Sequence, residues 1–170
     1  HTIIGGLAYD RRDARRIPMF LLNNILGGPA LNSRLNLAVR ERHGYTYSIE
    51  SAYHPYTDTG VFSIYMGADD GNLSKAMALV EKELAKVREV PLGAQQLQQA
   101  RKQLIGQIAI SNESNLNRLL SAGKTYLHDD RVDTIQEIRT HIESITRDQI
   151  LDAAGEVLAP ERLSLLVFRP

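Results

Sequence analysis

The chain of 170 residues is 43% hydrophobic and 24% charged, the ordinary mix of a globular domain, so disordered, collagen-like and coiled-coil classes are poorly supported. Twenty basic residues balance twenty acidic ones, and neither sign forms the run that a nucleic-acid-binding stripe needs, which speaks against a nucleic-acid partner. With no cysteine the chain has no disulfide, thiolate zinc knot or cysteine nucleophile, and its redox compartment stays open.

The chain opens at His1 directly into strand-like residues, without the pattern of a secretory signal, and is expected to be an excised or processed piece of a longer protein. Thr2 to Tyr9, β-branched and apolar around Gly5 and Gly6, predicts a strand that leaves into the charged turn Asp10 to Arg16. Pro18 suits the first turn of a helix, so a helix is expected from about Ile17, ended by Gly27-Gly28-Pro29. Its run Met19 to Leu22 is among the longest apolar stretches, far short of the ~20 residues that span a bilayer, so a soluble domain with no membrane span is expected.

Asn32 or Ser33 can cap a second helix of about three turns through His43, with Leu35, Ala38 and Val39 buried and Gly44 in the left-handed position that ends it. Tyr45 to Tyr56 then alternates, with Tyr45, Tyr47, Ile49, Ser51 and Tyr53 on one face, and Val61 to Ala68 alternates again after Thr57-Asp58-Thr59-Gly60. These two segments predict an antiparallel hairpin. From Asp70 the period becomes helical, with Leu73, Ala76, Met77, Val80, Leu84 and Val87 on one face. Further helices are expected around Leu97 to Ile108, Leu116 to Leu127 and Val132 to Ile138, and Thr146 with Gln149 forms a capping box for a last one. Arg162 to Phe168 returns to a strand. The order strand, two helices, hairpin, several helices, strand implies an α+β fold, an antiparallel sheet packed against helices, read here as a single domain over 1–170.

No two of His1, His43, His54, His128 and His141 have the spacing that puts both on one helical face for zinc, and H-x-x-E-H and its inverse are absent. His128, Asp129 and Asp130 are adjacent and diverge in a turn, so they read as a helix-capping loop rather than a metal cluster. No catalytic residue and no metal ligand is assigned. The dense polar constellation is Arg34, Arg40, Glu41, Arg42, His43, Tyr45 and Tyr47, spread over a helix end and the strand after it. Across a tight turn at Gly44, Arg40 and Tyr47 could converge, a guanidinium and a phenol able together to hold a peptide carbonyl. On spacing alone the commoner arrangement has Arg40 paired with Glu41 and the Tyr47 hydroxyl in solvent.

The helix ending in Ile-Leu-Gly-Gly, the Ser33-Arg34-Leu35 helix start, Arg40-Glu41 followed by Gly44 and Tyr47-Ser48, and Asp58-Thr59-Gly60 with Phe62 before a long amphipathic helix resemble one segment of a known family. That family is the pitrilysin, insulinase and mitochondrial processing peptidase family of zinc metallopeptidases, and the segment belongs to its non-catalytic, zinc-free C-terminal domain. The resemblance implies one half of a clamshell that closes on a peptide substrate against a homologous domain or subunit. It implies zinc in that H-x-x-E-H-bearing partner and no cofactor bound here. It further implies that Arg40 and a tyrosine seven residues on, Tyr47, reach the substrate; Tyr45, which stands where leucine is usual, is the rival for that role. The family also includes core proteins of respiratory complexes that keep the fold without proteolysis, so a structural or binding subunit is the alternative.

Overall fold

In a computed structural model, which describes residues 1–169, the strands are β1 (Thr2–Ala8), β2 (Ser48–Pro55), β3 (Gly60–Gly67) and β4 (Ser164–Val167). They form an antiparallel sheet in the order β2-β3-β1-β4, with Ile4 opposite both Ile64 and Leu165, and Ile64 opposite Ser51. Strict alternation gives the sheet two unlike faces. Ile4, Ile49, Tyr53, Phe62, Ile64 and Met66 point one way and are buried, whereas Ile3, Glu50, His54 and Val61 point the other way and are exposed.

The buried face carries the helices. In α1 (Arg16–Gly27), Met19, Leu21, Leu22 and Leu26 are wholly buried, and Pro18 sits in the first turn, where its missing N–H costs nothing. This helix packs on β2, and α6 (Arg147–Val157) packs on both α1 and α2 (Asp70–Glu89). The helical period of α2 buries Ala76, Val80, Leu84 and Val87 as expected. Then come α3 (Ala94–Glu113), α4 (Asn115–Asp129) and α5 (Ile135–Ser144). The Thr146 capping box is present: Gln149 N–H donates to Thr146 Oγ1 at 3.2 Å and Thr146 N–H to Gln149 Oε1 at 2.9 Å. Thr134 and Glu137 form a second such box at the start of α5.

Three expectations are corrected. The second helix is a π-helix over Asn36–Glu41, not a three-turn α-helix, and neither Asn32 nor Ser33 caps it: Ser33 Oγ is buried without a hydrogen-bond partner. Tyr47 does not share the buried face of Ile49 and Tyr53, because Thr46 takes the buried place. The Thr46 hydroxyl lies within hydrogen-bond reach of the carbonyls of Gly67 and Ser48, the latter at 2.6 Å, which turns the chain before β2 begins. The acidic loop after His128 does not cap α5; Asp129 instead takes a bidentate pair from Arg11, at 3.0 and 2.7 Å. The expected helix α4 is present and amphipathic, and among its described residues none is buried.

Candidate functional site

The bend between the π-helix and β2 follows from local sequence. An α-helical period from Leu35, Ala38 and Val39 would return Arg42 to the buried side, three, four and seven residues on. Burying an unpaired guanidinium is costly. The widened turns avoid it: Arg42 N–H bonds Leu37 O at 3.2 Å, one residue farther back than in an α-helix, and Arg40, Glu41, Arg42 and His43 are all exposed. Gly44 then adopts φ +64°, its N–H donating to Arg40 O at 2.8 Å while Tyr45 N–H donates to Val39 O at 3.1 Å. The four polar residues in succession, where the period demands an apolar one, are the signal in the sequence for this widening.

At the other end of the helix, Arg34 lies away from the bend. Its Nε donates to Glu83 Oε2 at 3.1 Å, and Lys86 Nζ donates to Glu83 Oε1 at 2.5 Å. Burial pushes the Glu83 carboxyl up, but the hydrogen bonds and charges of Lys86 and Arg34 together outweigh it and hold it below its ordinary value. The ion pair thereby anchors the π-helix to α2.

The predicted residues occupy distinct places. Arg40 is half exposed, with Nε 3.5 Å from Glu41 Oε1. Tyr45 is half-buried against the core, its ring 5.3 Å from that of His43 and 5.5 Å from Lys75 Nζ. His43 is itself pinned to the helix, Nδ1 donating to Ala38 O at 2.7 Å. Tyr47 is 62% exposed. Its ring lies over Gly67, whose absent side chain would alternate with that of buried Met66 and so point to the open face of the sheet. The contacts of Arg40 and Tyr47 are thus to Glu41 and Gly67 respectively, and do not join the two side chains to each other. Sequence reasoning missed Gly67 and Thr46, since their part depends on a neighbouring strand 20 residues or so away, a long-range pairing with no local signature.

Among the described residues, no group of three or more His, Asp or Glu is arranged to hold a metal ion, so these residues do not fit a zinc site. No helix among them is long and apolar enough to cross a membrane. The positioned groups at the bend are a guanidinium and a phenol, both donors, suited to holding a carbonyl or carboxylate oxygen.

An uncharacterized zinc protease of Streptomyces coelicolor is 31% identical over 170 residues, covering 100% of this chain and 37% of that protein. Another, from Bacillus subtilis, is 25% identical over 98% of this chain and 41% of its own length, so the chain spans about two fifths of these relatives. A solved structure, the peptidase M16 inactive domain from Pseudomonas fluorescens, superposes with a TM-score of 0.84 at 23% identity, over 96% of this chain and 39% of that one, and shares its fold. Residues 1–104 match the family described as the peptidase M16 inactive domain. A match over more than half of the sequence, on a sheet and helices of the same arrangement, places this chain in the peptidase M16 inactive domain family.

Proposed function

We propose that this chain is the zinc-free, peptide-holding half of a zinc metallopeptidase, the C-terminal-type domain of a longer protein, working against a zinc-bearing domain or subunit that carries H-x-x-E-H. The observation that carries the reading is the position of Tyr47, an exposed phenol on the uncovered face of the sheet, just past the bend that turns Arg40 outward. Tyr45, half-buried beside His43 and Lys75, is the poorer candidate. The Arg40 pair with Glu41 is no obstacle: both partners are more than 40% exposed, and such surface pairs contribute about 0–1 kcal/mol, little against a charge-assisted bond to a peptide carbonyl. The role of both donors is to orient the carbonyl and to stabilise negative charge on its oxygen.

Cleavage of a peptide by the full-length protein, or by this chain with its zinc-bearing partner, tests the reading. Arg40→Ala and Tyr47→Phe are each expected to lower kcat/KM by about 10²-fold, the scale of losing one donor to a developing oxyanion, while Tyr45→Phe stays near wild type. Undiminished cleavage by the Arg40→Ala, Tyr47→Phe double variant would remove both residues from the site. The second reading, a structural or binding subunit without proteolysis, draws on the same Arg40–Glu41 pair, an ordinary surface ion pair that needs no substrate to account for it. It predicts that the remainder of the protein lacks H-x-x-E-H and that the intact assembly cleaves no peptide.

A further inference from the structure

Gly67 closes β3 opposite Ser48, and its carbonyl accepts from both Thr46 Oγ1 and Tyr47 N–H, the latter at 3.1 Å, so the start of β2 is tied to this one residue. Its φ is not in the left-handed region, where Gly44 is the one glycine recorded among the described residues, so the backbone at 67 accepts any L-residue. What a side chain here would meet is the Tyr47 ring, which would have to move aside. A methyl group at Gly67 would lie 2.5 Å from Tyr47 Cε2 and 2.6 Å from its hydroxyl oxygen, and closer still to Cζ, well inside van der Waals contact. The atoms that would collide are the hydroxyl end of the ring, the part that does chemistry. Gly67 itself is buried although it faces the side of the sheet that no helix covers, because the phenol lies on it.

We propose that Gly67 is the positioning residue of Tyr47: the bare backbone at the end of β3 is a seat that fixes the height and tilt of the phenol, and any side chain there lifts the hydroxyl off the sheet. Its consequence for cleavage rests on the peptide-holding reading of Tyr47; the seating itself does not. A displacement of about 1 Å at such a group costs about 10²-fold in rate.

Two measurements on the full-length protein separate these. With tyrosine labelled with ¹³C at the ring ε carbons, the Tyr47 signal is identified by its loss in Tyr47→Phe; Gly67→Ala should move that signal and leave those of Tyr45 and Tyr65 in place. An unmoved Tyr47 signal overturns the proposal. In peptide cleavage, Gly67→Ala should lower kcat/KM about as far as Tyr47→Phe does, and adding it to Tyr47→Phe should cost nothing more. An equal loss in both backgrounds means that the alanine acts by distorting the strand, and overturns the positioning role. Wild-type cleavage by Tyr47→Phe instead sinks the peptide-holding reading, and the labelled spectrum still decides whether Gly67 seats the ring.

Discussion

Charged side chains around the π-helix divide into those that anchor its start to α2 and those at the exposed surface of its far end. Glu83, only 8% exposed and shared by Arg34 and Lys86, belongs to the first kind, and Arg40 and Arg42 to the second. A carboxyl whose folded pKa lies below its unfolded value, about 4.3 for glutamate, contributes stability above that pH and loses it as pH falls through the folded pKa. Wild type should therefore lose more stability than Glu83→Gln between about pH 5 and pH 3, with the variant the weaker of the two at pH 7. Urea unfolding across that range checks this, and parallel stability curves would contradict the anchoring role. A single residue likewise separates Tyr45 from Tyr47, through a contact that spans the hairpin. One threonine hydroxyl, within reach of two carbonyls, breaks the alternation between them and sends the second ring to the other side of the sheet.

Among the elements, those with a local chemical cause were legible in the sequence. The Thr146 box is one: truncating it by Thr146→Ala removes an acceptor for Gln149 N–H and should cost about 1 kcal/mol, seen in thermal or urea unfolding. An unchanged midpoint would mean that packing of Ile150, Ala153 and Val157 holds the helix without its cap. The stop of α1 at Gly27, the left-handed Gly44 and the apolar period of α2 are of the same kind, each decided by a few neighbouring residues. The π-helix reads as α in the sequence because Leu35 just before it and Ala38 and Val39 within it fit either period. Only the conflict at Arg42 distinguishes them, and a single polar residue is easily taken for the helix end. At the candidate site, Arg40, Tyr45 and Tyr47 could be named from spacing. The side of the sheet each ring occupies could not, since that is set by the pairing of Ser48 with Gly67 across the hairpin.

At the scale of the whole molecule, leucines that look alike in sequence have opposite weights. Leu22 on α1 is wholly buried, whereas Leu119 and Leu127 on α4 are 70% and 83% exposed. Leu22→Ala should cost about 2–5 kcal/mol through lost burial and the cavity left behind. Leu119→Lys or Leu127→Lys in the same chain should stay within about 0.5 kcal/mol. Equilibrium unfolding of the three variants gives the comparison, and a large loss for Leu127→Lys would show that α4 contributes to the fold through a contact absent here. A different consequence follows from the way the sheet is closed. β1 and β4 run in opposite directions, the amino group of His1 reaches the carbonyl of Phe168 at 2.9 Å, and the two strands pair over only Thr2 to Gly5. Force applied by pulling residues 1 and 168 apart thus falls on one rung of that ladder at a time, so under tension the domain should unzip from this corner, its mechanical resistance low whatever its thermodynamic stability.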